Sequence, residues 1–108
     1  ALTHATSFSI VFEERPLANR LLAIEERIHA GDAAAVQKLV KEQFYALIED
    51  QRFFPPDMTE SSRISMLGIA LRKYAHFYRL LSQPSLTRPE SLFLLHFLVD
   101  VQFGKAMP

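Results

Sequence analysis

The chain contains no cysteine among its 108 residues. This excludes a disulfide-stapled secreted scaffold, thiolate chemistry and a zinc site built on cysteine. A cysteine-free chain is compatible with both the cytoplasm and an exported location, and we take the cytoplasm as the expected one. A chain of this length fits one domain and can bury one hydrophobic core without metal or disulfide support.

The chain also lacks an excess of charge of either sign, since Lys plus Arg and Asp plus Glu each number 12. No net field steers the whole molecule toward nucleic acid or an anionic membrane, so a charge-driven partner would use a local patch. No apolar run reaches the roughly 20 residues that span a bilayer, and we therefore expect no membrane span. Apolar residues make up 49% of the chain and charged residues 22%, which is typical of a globular protein that folds in water.

Signatures of chemistry are missing as well. No catalytic motif, metal-ligand set or phosphate-binding loop stands out, so we expect a protein without enzymatic activity and without a cofactor. The one polar pair in the apolar C-terminal segment is His96 and Asp100, which share a helix face because they are four residues apart. This pair is a candidate small-ligand or metal site, although a mutually satisfied pair or a wet helix stripe is the commoner arrangement.

Helical periodicity is the clearest pattern that the sequence does contain. Pro16, followed by apolar residues at spacings of four, three and four, predicts a first helix that begins at Pro16 and ends near Gly31. Asp32 is typical of an N-cap, and it predicts a second helix from Ala33 to about Gln51. The short link between these helices predicts an antiparallel hairpin.

A second hairpin is predicted after Pro55 and Pro56. Asp57 and Glu60 have the spacing of a capping box, which predicts a third helix reaching about Ser82. Gly68 would lie inside this helix, where a glycine suggests that another helix crosses closely. Thr87 and Glu90 form a second capping box, which predicts a fourth helix that ends at Gly104.

Residues 1–15 give the weakest pattern. Phe8, Ile10 and Phe12 alternate with less apolar residues, which suits a strand or a short helix equally. A single strand needs a neighbouring strand to pair its backbone hydrogen-bonding groups, and an arm exchanged between two copies would supply one. We therefore treat residues 1–15 as a short N-terminal arm or helix and residues 16–108 as a single helical domain.

These patterns predict an all-α fold, a four-helix bundle-like arrangement of two helical hairpins with a short N-terminal arm or helix. Residues 92–103 are apolar on almost every side of their helix, as in the centre of a bundle or at a subunit interface. Of Phe53 and Phe54, which follow the second helix, only one can reach the core. We therefore expect a self-associating chain whose interface includes Leu92, Leu95, Phe97, Leu98, Val99, Val101, Phe103, Phe53 and Phe54.

The function most consistent with these features is a non-enzymatic helical module for protein–protein interaction, such as a small adaptor, regulator or chaperone-like protein. We expect its partner to be a protein, in the first instance a second copy in a homodimer. An alternative is a nucleic-acid-binding regulator that uses a basic stripe on the third helix. The candidate residues for that stripe are Arg63, Arg72, Lys73 and Arg79. A small-ligand or metal site near His96 and Asp100 is the other alternative.

Overall fold

A computed structural model of the chain describes the backbone of residues 2–106 and the side chains of residues 16–103. Within that part of the chain every regular element is a helix, which confirms the all-α prediction. The five helices are α1 (Leu2–His29), α2 (Ala33–Ile48), α3 (Glu60–Met66), α4 (Leu71–Leu81) and α5 (Arg88–Ala106). Their contacts are compatible with a bundle, in which α2 and α5 each pack against α1 and α4, and also against each other.

The first helix starts much earlier than the sequence indicates. α1 begins at Leu2 and contains Pro16 in its interior, so the predicted start at Pro16 is wrong. Proline suits a first turn, because in a helix interior it removes a hydrogen bond and its ring crowds the carbonyl four residues earlier, yet α1 continues through Pro16. The predicted short helix or arm is the first half of α1. The side chains of Phe8, Ile10 and Phe12 lie outside the described residues.

The link between α1 and α2 follows the prediction closely. Gly31 has a φ of 71°, a left-handed conformation that glycine adopts without a steric penalty. Asp32 is the N-cap of α2, and its carboxylate accepts a hydrogen bond from the backbone N–H of Ala35 at 3.1 Å. α2 ends at Ile48, somewhat before the predicted Gln51.

The predicted third helix is two helices. α3 ends at Met66, and Gly68 has a φ of 72°, which places it just after the C-cap residue Leu67. The N–H of Gly68 donates to the carbonyl of Ser65 at 3.0 Å, as in helix-ending motifs with a left-handed glycine. A Cβ atom at Gly68 would meet nothing within 4 Å, so the expected close helix crossing at this glycine is wrong.

The two predicted capping boxes have different outcomes. At α3 the N-cap is Thr59, whose hydroxyl accepts from the N–H of Ser62, so the box assigned to Asp57 and Glu60 is wrong. At α5 the predicted box is confirmed, since the N–H of Thr87 donates to Glu90 at 2.9 Å and the N–H of Glu90 donates back to the hydroxyl of Thr87 at 3.3 Å. The bond from the Thr87 N–H, together with one from the side-chain amide of Gln83, lowers the pKa of the Glu90 carboxyl. α5 then continues to Ala106, past the predicted end at Gly104.

The core is centred on three phenylalanine rings, one from each of three helices. Phe77 of α4 stacks on Phe97 of α5 with ring centroids 3.9 Å apart and planes inclined by 16°. Phe44 of α2 lies 4.9 Å from Phe77 and 5.8 Å from Phe97, measured between ring centroids. All three side chains are essentially inaccessible to water. This cluster therefore joins α2, α4 and α5.

Replacing Phe97 with alanine should lower the free energy of unfolding by about 3–5 kcal/mol, because the ring leaves a cavity between Phe44 and Phe77. Leu71→Ala is the matched control, because Leu71 is 82% exposed and its truncation should change stability by no more than about 0.5 kcal/mol. Urea unfolding followed by circular dichroism measures both. Equal losses for the two variants would contradict the position of Phe97 in the core.

Replacing Gly68 with alanine should destabilise the chain by about 1–2 kcal/mol, because the left-handed conformation is unfavourable for a residue with a Cβ atom. Gly68→Asn should cost less, since asparagine tolerates this conformation. Thermal unfolding of the two variants checks the order. If Gly68→Ala proved as stable as the original chain, the break between α3 and α4 would be contradicted.

Candidate functional site

The side of α5 opposite its most deeply buried residues carries three apolar side chains and one histidine, although two of the apolar side chains, Leu92 and Val99, also pack against the core. Leu92, His96, Val99 and Phe103 follow one another at spacings of four, three and four, so they line one side of the helix. Leu92 and Val99 are half-buried, His96 is exposed and Phe103 is 46% exposed. We call these four residues the α5 outer face.

Most of the predicted interface belongs to the core of a single chain. Leu95, Phe97, Leu98 and Val101 are buried against the other helices, so their burial needs no second copy. The expectation that they contact a partner is corrected accordingly. When a helix is apolar on every side, the sequence does not show which side faces the core. The sequence therefore could not separate the inner side of α5 from its outer side. For Leu92, Val99 and Phe103 the interface stays a prediction.

The two phenylalanines after α2 divide as expected, one inward and one outward. Phe54 is only 3% exposed, and the expectation that it contacts a partner is corrected. Its ring lies beneath the guanidinium of Arg63, with the carbon of that group 5.9 Å from the ring centroid. Phe53 is 50% exposed and has the guanidinium of Arg52 over its ring at 5.6 Å. Phe53 therefore remains a candidate contact residue.

His96 and Asp100 are not a buried polar pair. Both side chains are exposed, and Asp100 lies 3.8 Å from the ammonium of Lys73 on α4. Among residues 16–103, no group of three or more His, Cys, Asp and Glu side chains is arranged to hold a metal ion. His96 and Asp100 therefore lie on the solvent-exposed side of α5. This is the more common arrangement for polar residues in an otherwise apolar helix.

Arg63 does not belong to the basic stripe. Its guanidinium donates to four backbone carbonyls, at 2.6 Å to Ile48, 3.1 Å to Met58, 3.1 Å to Pro55 and 3.4 Å to Pro56. These bonds tie the end of α2 to the proline loop and to α3. The assignment of Arg63 to a phosphate-binding patch is therefore wrong, because its donors are already used within the chain.

The other three basic residues do come together. Arg72, Lys73 and Arg79 lie with His76 along the side of α4 that borders α5, around a groove of about 720 Å³. The groove also contacts Phe93, whose ring meets the ring of His76 edge-on with centroids 4.6 Å apart. We call this the α4–α5 groove. Sequence spacing found its cations but not Phe93, because only the fold brings α5 beside them.

The opposite side of α4 carries tyrosines instead of cations. Tyr78 is 55% exposed, and its ring centroid lies 6.2 Å from that of Tyr74. The hydroxyl of Tyr74 donates to Glu60 of α3 at 3.2 Å. Burial, together with the neighbouring Glu60 carboxylate, raises the pKa of Tyr74 to about 12. The phenol therefore stays neutral at physiological pH and acts as a hydrogen-bond donor between α4 and α3.

Gln37 has a structural role that the sequence patterns did not indicate. The side-chain amide of Gln37 on α2 donates to the carbonyl of Leu80 at 2.9 Å and to that of Gln83 at 2.8 Å. These carbonyls lie at the end of α4 and just after it, where few backbone N–H groups are left to pair with them. A polar residue on a half-buried helix position was the only available signal, and it does not reveal a contact with a distant segment.

Comparison with family models, curated proteins and solved structures found no match for this chain. Within the described residues, no helix has the combination of length and apolarity that crossing a membrane requires. The exposed surfaces of the fold are therefore the features that point to a function.

Replacing Arg63 with alanine should lower the free energy of unfolding by about 2–3 kcal/mol, because hydrogen bonds from a charged donor to partly buried carbonyls are lost. The matched control is Arg72→Ala, an exposed arginine whose loss should change stability by no more than about 0.5 kcal/mol. Urea unfolding provides the comparison. If both variants were as stable as the original chain, the structural role of Arg63 would be disproved.

Proposed function

We propose that this chain is a non-enzymatic helical module for protein–protein interaction, and that it forms a homodimer through the α5 outer face. The supporting observation is that Phe103 remains 46% exposed on a helix whose other side fills the core. Leu92 and Val99 extend the apolar stripe over about 16 Å, since a helix rises 1.5 Å per residue.

The spacing of the α5 outer face suits a second copy as its partner. In a twofold dimer the same surface of both copies meets itself, so each contact occurs twice. If two α5 helices pack antiparallel about a point midway between His96 and Val99, Leu92 of each copy lies opposite Phe103 of the other. His96 then lies opposite Val99 in the same way. This self-complementary order favours association with another copy over an unrelated apolar surface.

The nucleic-acid alternative keeps one supporting observation, which is that Arg72, Lys73 and Arg79 share the α4–α5 groove. Two features weaken it. The whole chain has no net charge, and Arg63 is occupied elsewhere. Nucleic-acid interfaces are generally much more positive and polar than this groove. The alternative of a small-ligand or metal site at His96 and Asp100 has no comparable support, because both side chains are exposed.

Sedimentation velocity at a series of concentrations should show a reversible dimer at about tens of micromolar, which corresponds to a micromolar dissociation constant. Phe103→Glu should raise that constant at least tenfold, because two carboxylates enter the apolar contact. Leu71→Glu is the control, since Leu71 is even more exposed but lies on α4. It should leave the constant unchanged.

Circular dichroism should show that both variants remain helical, because both positions are exposed. A chain that sediments as a monomer throughout this range would disprove the proposed homodimer. An equal weakening by Leu71→Glu would place the contact elsewhere on the molecule.

A further inference from the structure

We propose that the α4–α5 groove binds an acidic amphipathic helix of a partner protein, one that carries two carboxylates seven residues apart with apolar residues between them. This inference rests on the proposed role as an interaction module and names a second class of partner at a surface separate from the α5 outer face.

The charge of the groove is positive and largely uncompensated. Arg72 and Arg79 are exposed, and neither forms an ion pair with any residue in the part of the chain whose side chains are described. Lys73 is partly compensated by Asp100 at 3.8 Å. Two guanidinium groups without an ion pair among the described side chains therefore favour an anionic partner, and their planar donors suit carboxylates in particular.

The guanidinium of Arg79 is held in place by its neighbour. Its Nη2 atom donates to Nδ1 of His76 at 2.7 Å. Because an arginine has no acceptor, His76 accepts this bond at Nδ1. An oriented guanidinium loses less side-chain freedom on binding than a mobile one, which favours recognition at this end of the groove.

The floor of the groove is apolar. Phe93, Ala70 and Ala75 contribute apolar lining to the groove, and Ala75 lies between Arg72 and Arg79 along α4. The volume of about 720 Å³ is that of a site which accepts several side chains, and the groove is open along the surface. A ligand that complements it must bring apolar groups to the floor as well as negative charge to the ends. Phosphates along a nucleic-acid backbone supply only the charge.

The length of the groove matches two turns of helix. Arg72 and Arg79 are seven residues apart on α4, so their backbone positions are separated by about 10.5 Å along the axis. A helix lying along α4 with acidic residues at positions i and i+7 reaches both, and its residues at i+3 and i+4 then face the floor.

The test uses a fluorescein-labelled, end-capped peptide of about 15 residues with Glu at i and i+7 and Leu at i+3 and i+4. Binding is followed by fluorescence anisotropy on the full chain carrying Phe103→Glu, so that self-association does not interfere. A second peptide has Lys in place of both Glu residues, and a third has Ser in place of both Leu residues. A labelled double-stranded DNA oligonucleotide is the fourth probe.

The acidic peptide should bind with a micromolar dissociation constant, and the Lys and Ser peptides should each bind at least tenfold more weakly. Arg72→Glu combined with Arg79→Glu should weaken binding of the acidic peptide at least tenfold and strengthen binding of the Lys peptide. The matched control combines Lys38→Glu with Lys41→Glu, which makes the same change of charge at exposed positions of α2. This control should leave both peptides unaffected.

If the double arginine variant loses its helical circular dichroism signal, the variant with Arg72→Gln and Arg79→Gln is used in its place. The expected loss of affinity for the acidic peptide is then smaller. The proposal is overturned if the acidic peptide does not bind, if the α2 control weakens it equally, or if the DNA binds more tightly than the peptide through the same arginines. If the peptide does not bind, the homodimer proposal is unaffected. If the chain is monomeric, the proposal of peptide binding is unaffected, so the two proposals can be disproved separately.

Discussion

The stack of Phe77 on Phe97 is the contact on which the rest of the structure depends. With Phe44 it joins α2, α4 and α5, and it fixes which side of α5 faces inward. Rings of this size contribute a large part of the burial energy of a small core. Once this side of α5 is buried, Phe103 lies at the surface, while Leu92 and Val99 are half-buried and pack in part against the core. The proposed interface is therefore a consequence of core packing.

The same packing gives α4 its two distinct sides. Phe77 and Leu80 point into the core, so the flanks of this short helix are left at the surface. One flank places Arg72 and Arg79 beside α5, and the other places Tyr74 and Tyr78 beside α3. A chain with no net charge thus acquires a local basic groove without becoming basic as a whole. Local charge of this kind provides specificity for a partner more than long-range steering.

Local signals in the sequence predicted much of the secondary structure. The cap at Asp32 and the box of Thr87 with Glu90 depend on bonds within one turn, and both are present. Gly68 was misassigned because a glycine between two apolar stripes fits a helix interior and a helix end equally well. The inner side of α5 and the reach of Arg63 to Ile48 depend on contacts between distant segments. Periodicity carries no information about such contacts.

The central claim is that one copy of the chain closes its own core around α5, so that no second copy is needed to cover the inner side of this helix. Amide hydrogen exchange measured by mass spectrometry, at a protein concentration low enough to keep the chain monomeric, tests this claim most directly. The account predicts that residues 94–101 of α5 are protected as strongly as residues 36–48 of α2. Rapid exchange of α5 in the monomer, with protection appearing only at high concentration, would contradict it.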